Sequence, residues 1–162
     1  MAKASFVSRF IPRRFRKSQP TINVVRLHGA IGVGSPLRPP LTFKDLNPLL
    51  ERAFAKNIAA VALSVNSPGG SAVQSALIHS RIRALASEYK IPVYVFCEDA
   101  AASGGYWLAC AGDEIYADES SIVGSIGVIS AGFGFVEAIG KLGVERRVHT
   151  SGENKSILDP FQ

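Results

Sequence analysis

"IAAVALSVNSPGGS" runs from Ile58 to Ser71. Its first eight residues, Ile58–Val65, form a short continuous apolar run, the pattern of a strand inside a parallel sheet. "NSPGGS" then breaks the run with a sharp turn. Pro68 presets φ, and Gly69 and Gly70 reach backbone conformations closed to other residues. Ser71 is placed to cap a helix extending to about Lys90, with Ile78, Ile82, Leu85 and Tyr89 on one face. "PVYVFC" (Pro92–Cys97) follows as the next buried strand. Strand, turn, helix and strand in this order predict an α/β fold, with a largely parallel sheet and helices packed on its faces.

The same alternation continues in both directions. Toward the N-terminus lies a β-rich stretch, Ile22–His28, and a Gly/Pro loop, Gly29–Pro40. Thr42 then caps a helix through about Asn57, in which Pro48 fits only near the first turns. Toward the C-terminus the pattern predicts a short helix from about Ser103 and strands near "EIYA" (Glu114–Ala117) and "VGSIGVIS" (Val123–Ser130). A helix near "FGFVEAIGKLG" (Phe133–Gly143) and a strand "VERRVH" (Val144–His149) complete the set. The longest apolar uncharged run, Ser120–Val136, is broken by four glycines and reads as buried strand and loop rather than a membrane span. Residues 21–162 are expected to form one domain. "LDPFQ" ends without a finished terminal helix, which reads as a chain that stops short.

The 162 residues are 47% hydrophobic and 19% charged, in the range of a folded globular chain rather than a disordered one. The net charge of +5 is unevenly placed. Lys3, Arg9, Arg13, Arg14, Arg16 and Lys17 fall within residues 1–20, which hold no acid, and the rest of the chain is near −1. That arm interleaves its cations with Phe6, Phe10 and Phe15. It reads as a flexible tail, or as a peripheral anchor for anionic lipid through residues 1–17. Nucleic acid is not an expected partner, because no second basic patch or stacking platform follows. The arm lacks the apolar core of a signal peptide. Two cysteines, Cys97 and Cys110, make neither a disulfide framework nor a zinc site and read as small buried hydrophobes. No metal or cofactor is expected.

Chemistry concentrates at two turns that follow buried strands, where α/β sheets collect their functional groups. The "NSPGGS" turn offers the amides of Gly69 and Gly70 at a helix start, suited to an oxyanion or to an ordinary tight turn. "AAASGG" (Ala100–Gly105) offers a hydroxyl, Ser103, where strand gives way to helix, with the Gly104 amide beside it. Close helix–strand packing explains the same small residues equally well. A nucleophilic serine needs a base. His149, with Glu153 and Asp159 near in sequence, allows a Ser103–His149–Asp159 triad. Lys155 is the other candidate, provided desolvation lowers its pKa from about 10.4.

Taken together, "SVNSPGGS" (Ser64–Ser71), the long stretch Ala100–Val128 and "GENKSILDPF" (Gly152–Phe161) resemble the signal peptide peptidase A family of bacterial serine peptidases. The resemblance runs from about Asn23 to Phe161. It implies a Clp protease/crotonase-like α/β spiral of ββα units and a Ser–Lys dyad. In it Ser103 is the nucleophile, Lys155 the general base, and Gly69 or Gly70 with Gly104 the oxyanion donors. Histidine has no role in that family. The resemblance further implies a homo-oligomer with a shared active site, and a groove lined by Ser125, Ile126, Gly127 and Val128 that takes hydrophobic peptides such as cleaved signal peptides.

The chain departs from the family in its basic arm, where many members carry a transmembrane anchor, and in missing C-terminal helices. The arm favours a cytoplasmic or peripheral placement. Two other functions compete with the peptidase. One is a crotonase-like acyl-CoA-binding enzyme that uses the oxyanion hole without a nucleophile. The other is an inactive peptide-binding shell.

Overall fold

A computed structural model describes residues 20–55, 57–129, 131–152 and 155–161. The basic arm up to residue 19, and Glu153 of the triad alternative, lie outside the described residues. In chain order the elements are β1 (Ile22–His28), α1 (Phe43–Ala53), β2 (Ala60–Ser67), α2 (Ala72–Tyr89), β3 (Val93–Ala102), α3 (Gly104–Ala109), β4 (Glu114–Ala117), β5 (Ile122–Gly124) and α4 (Val136–Lys141). They divide into a unit ending at Ile126 and a second one, Gly127–Gln162.

The first unit is built on one sheet of order β1-β2-β3-β4, with every pairing parallel. β3 is long enough to serve two neighbours. Tyr94–Cys97 pair with β4, and Ala100–Ala102 pair with β5. Val25, Leu27, Val61, Leu63, Val65, Val93 and Val95 are buried on one face of the sheet. Leu46 and Leu50 of α1, Ile78, Ile82 and Leu85 of α2, and Leu108 of α3 complete that core. Alternate residues on the other face are exposed or half-buried. α1, α2 and α3 of this unit therefore share one face of the sheet, as flanking helices.

Local capping explains the helices that match their expected bounds. Ser71 accepts a hydrogen bond from the Gln74 amide, and Lys90 closes α2 in the left-handed conformation at φ 54°. Tyr89 points outward, and Ala86 takes the buried place expected for it. Thr42 accepts from the Asp45 amide at 3.2 Å and starts α1. That helix ends at Ala53, short of the expected Asn57, which sits at φ 71°. Pro48 lies inside it, where its missing N–H costs one helical bond. Phe54, the C-cap of α1, is fully buried. Phe54→Ala is expected to cost about 3–5 kcal/mol of stability, read as a lower midpoint in urea unfolding.

Asp113 anchors the start of β3. Its carboxylate accepts the Val93 N–H at 2.8 Å, and its own N–H donates to the Val93 carbonyl at 2.8 Å. The Val93 amide, with help from Arg83, holds this carboxyl below the ordinary aspartate value. Cys97 is buried, and desolvation pushes its thiol pKa up, whereas Cys110 is exposed and not the buried residue expected.

In the second unit α4 is tied to the chain end. The Phe135 amide donates to the Pro160 carbonyl at 2.7 Å, and the Phe135 and Phe161 rings stack with centroids 5.4 Å apart. Arg146 pairs with Asp159 at 2.6 Å and lies over the Phe161 ring. Residues 144–150 form no strand, contrary to the reading of "VERRVH". The glycine-broken run is not buried either, since Val128, Ile129 and Phe133 are 92%, 91% and 81% exposed.

Candidate active site

The strand expected to end at Cys97 continues to Ala102. Glu98 and Asp99 stay in it because neighbouring polar side chains meet them across the sheet. Ser64 donates to Glu98 and Asn66 donates to Asp99. The Ser64 hydroxyl is the main reason the Glu98 carboxyl titrates below its ordinary range. Ser67 and Ala101 then pair after a register shift that follows Val65. The change from β3 to α3 is thereby compressed into one residue, Ser103.

Ser103 sits at φ 52°, ψ −119°, a conformation uncommon for a residue with a Cβ. Strain of this kind persists only where the surroundings impose it. Here the Ser103 amide donates to the Gly124 carbonyl at 2.7 Å, and the Ser103 carbonyl accepts from Trp107 at 3.0 Å. Both bonds use backbone, so the side chain stays free. Its hydroxyl has no hydrogen-bond partner among the described residues.

The "NSPGGS" turn packs directly against this residue. A Cβ on Gly69 would stand 2.7 Å from the Ala102 carbonyl oxygen and 2.8 Å from both the Gly104 nitrogen and the Ser103 Cβ. A Cβ on Gly104 would overlap the Ser75 hydroxyl and lie 3.4 Å from the Gly70 nitrogen. A Cβ on Gly105 would lie 2.5 Å from the Ser67 carbonyl oxygen. The glycines thus permit both close packing of α3 on β2 and the juxtaposition of the two turns.

The two candidate amides in the first turn are not equivalent. The Gly69 N–H donates to the buried Ser67 hydroxyl oxygen at 3.1 Å. The Gly70 and Gly104 N–H groups meet no acceptor among the described residues. Sequence reasoning missed what holds this turn. Ile31, placed in a loop, donates its N–H to the Gly69 carbonyl at 2.9 Å and accepts from Ser71 at 2.8 Å. A single buried isoleucine in a Gly/Pro-rich segment was the available signal. Ser67 and Ser75, both fully buried, were also missed.

β5 pairs with β3 alone. Beside it lies a cleft of about 580 Å³ lined by Glu98, Asp99, Asp118 and Ser121, among others. The Ser120 hydroxyl and amide donate to Asp118 and hold its carboxyl below the ordinary value. Of the groove residues, Ser125 and Ile126 close the first unit, and Gly127 and Val128 open the second; all four are exposed. Lys155 is exposed and starts the turn 155–158 in the second unit. His149 is exposed there, and Asp159 is engaged by Arg146, which disfavours the triad alternative. No group of three or more His, Cys, Asp or Glu among the described residues could hold a metal ion.

Residues 86–162, which contain both Ser103 and Lys155, match the model of "Peptidase family S49". The chain is 39% identical over 138 residues to Protease 4 of Haemophilus influenzae, covering 85% of this chain and 22% of that protein. It is 60% identical over 163 residues to part of a Brucella melitensis protein named Na(+)/H(+) antiporter NhaA, covering 99% of this chain and 22% of the other. The chain thus spans about a fifth of the length of these curated relatives. No helix of the described residues is long and apolar enough to cross a membrane. Among solved structures, a mutant of the 1510-N membrane-bound stomatin-specific protease superposes with a TM-score of 0.55 at 22% identity, over 72% of this chain and 52% of that one. The α/β fold class expected from the sequence, a largely parallel sheet with flanking helices, is the one found, and it is shared with the stomatin-specific protease. The matched segment, residues 86–162, and the protease relatives together support the SppA-like family, peptidase family S49, for this chain.

Proposed function

We propose that this chain carries the catalytic centre of a serine endopeptidase that cleaves hydrophobic peptides, such as the remnants of signal peptides, by acyl-enzyme chemistry. One observation carries the reading: a Ser103 hydroxyl held at positive φ beside the amides of Gly70 and Gly104, all three without a partner among the described residues. In the proposed reaction the Ser103 proton passes to the Lys155 amine as Oγ attacks the scissile carbonyl. The oxyanion so formed accepts from the Gly70 and Gly104 N–H groups. Collapse expels the amine product, which takes the proton back from Lys155, and water then hydrolyses the acyl-enzyme by the same route. Gly69, whose N–H is already engaged, shapes the turn without donating.

An extended substrate would add as a strand to β5 and run along Ser125–Val128. Lys155 serves as base only when desolvated, which assembly into a homo-oligomer with a shared active site would achieve. Residues 1–17 would supply peripheral contact with a membrane from the cytoplasmic side.

Lys155→Ala tests the dyad. Hydrolysis of an apolar peptide is expected to fall about a hundredfold or more. A variant with unchanged turnover removes Lys155 from the mechanism. Labelling of Ser103 by a fluorophosphonate separates this reading from an acyl-CoA-binding enzyme or an inactive shell, neither of which has an activated serine.

A further inference from the structure

β2 and β3 fall out of step just before the two turns of the site. Val65 pairs with Cys97 and Ser67 with Ala101, so Asn66 alone stands opposite Glu98, Asp99 and Ala100. β3 therefore bulges against β2, and a bulge leaves its extra residues without ladder partners. The excess is an even number of residues, so Cys97 and Ala101 are both buried on the core face. The bulge also divides β3 between two further partners. Tyr94–Cys97 pair with β4, and Ala100–Ala102 with β5.

The Asn66 side chain fills this gap. Its Oδ1 accepts the Ala100 N–H at 3.3 Å, and its Nδ2 donates to the Asp99 carboxylate at 2.8 Å. Its main chain serves the other side of β2, where the Asn66 carbonyl accepts the Gly29 N–H at 2.9 Å. One residue thus ties β1, β2 and β3 together where they end. Asn66 leads directly into the turn that carries Gly70, and Ala100 leads to Ser103 through two residues held by β5. The other charged groups at this corner are Glu98 and His28, which meet at the Ser64 hydroxyl, and Asp118, which lines the same cleft as Asp99.

We propose that Asn66 is a positioning residue for the reaction at Ser103. By filling the bulge it fixes how far β3 advances past β2, and with it the place of the Ser103 hydroxyl beside the Gly70 and Gly104 amides. It acts through the backbone and stays outside the reacting atoms. This rests on Ser103 being the nucleophile. The position calls for an amide because it must offer two polarities from one small planar group. The Ala100 N–H needs an acceptor, and the Asp99 carboxylate needs a donor. A carboxylate here supplies the first but faces Asp99 with like charge. An aliphatic side chain supplies neither and leaves the Ala100 N–H without its partner.

Exchanging the two polarities tests the assignment in the full chain. Two rates are read, hydrolysis of an apolar peptide and fluorophosphonate labelling of Ser103. Asn66→Asp keeps size and acceptor but sets two carboxylates together. It is expected to lower kcat and the labelling rate at least about tenfold, with KM little changed. Asp99→Asn keeps an acceptor for the Asn66 amide and is expected to cost less than about threefold. The double variant, Asn66→Asp with Asp99→Asn, reverses the bond, so that position 99 donates to position 66. It is expected to return both rates to within about threefold of wild type. Should Asn66→Asp fail to fold, Asn66→Gln takes its place. It keeps the amide but carries it one methylene further out, with the same expected fall in kcat. Native kcat in the folded single variant, a loss in KM instead of kcat, or a folded double variant that stays slow would overturn the assignment while Ser103 remains the nucleophile. A wild type whose Ser103 takes no label overturns the reading of Ser103, and this assignment with it.

Discussion

Ser103→Ala is expected to lower peptide hydrolysis by about a thousandfold or more while leaving the fold intact. The bonds that impose its conformation run from the Ser103 amide to Gly124 and from Trp107 to the Ser103 carbonyl. Both survive the substitution. The lost oxygen is the only proposed nucleophile, and the nearby hydroxyls of Ser67 and Ser75 belong to buried residues, Ser67 accepting from the Gly69 amide and Ser75 donating to the Ser71 carbonyl. Fluorophosphonate labelling should vanish in parallel. Ser103→Gly sharpens the test, because glycine adopts φ 52° without the Cβ penalty. It should be equally inactive yet more stable than Ser103→Ala by roughly 1 kcal/mol, measured by urea unfolding. Equal stability of the two variants would show that the turn is not strained, and residual turnover would move the nucleophile elsewhere.

Gly70→Ala is expected to have the second-largest effect, on fold and site at once. Gly70 has φ 145°, and a Cβ there would overlap the Ile31 carbonyl oxygen and stand 2.9 Å from the Ile31 nitrogen. Neither atom can move freely, since the Ile31 N–H donates to Gly69 and its carbonyl accepts from Ser71. The turn must swing away, taking the Gly70 N–H with it. Losing one oxyanion donor costs about 3 kcal/mol of transition-state stabilisation, or a hundredfold or more in kcat. A substrate-binding role alone would raise KM instead. A stability loss of at least about 2 kcal/mol should accompany it in urea unfolding. Gly70→Ala with native kcat would exclude this amide as a donor.

Features carried by bonds between near neighbours in the chain were legible in advance. α2 starts and stops where its caps predict, because a serine hydroxyl reaches an amide three residues on, whatever the rest of the molecule does. β1 matches Ile22–His28 for a related reason, since its β-rich composition is written in its own side chains. Elements whose limits depend on distant partners were not legible. β2 runs two residues past Val65 because His28 pairs with Asn66, and Ser67 with Ala101. β3 carries Glu98 and Asp99 because Ser64 and Asn66 meet them. "VERRVH" alternates like a strand, yet residues 144–150 do not form one.

By itself, then, the chain determined the α/β order, the helix caps and the position of one serine after a strand among residues too small to obstruct it. Tertiary structure decided which glycine amide is left without an acceptor among the described residues. Gly69 and Gly70 are indistinguishable as letters, but the hydroxyl of Ser67 engages the first, and Ile31 pins the turn so that the second stays free. Tertiary structure also decided that α1, α2 and α3 all lie against the same face of the sheet. Both outcomes depend on groups brought together from far apart in the chain, and local sequence pattern does not encode that proximity.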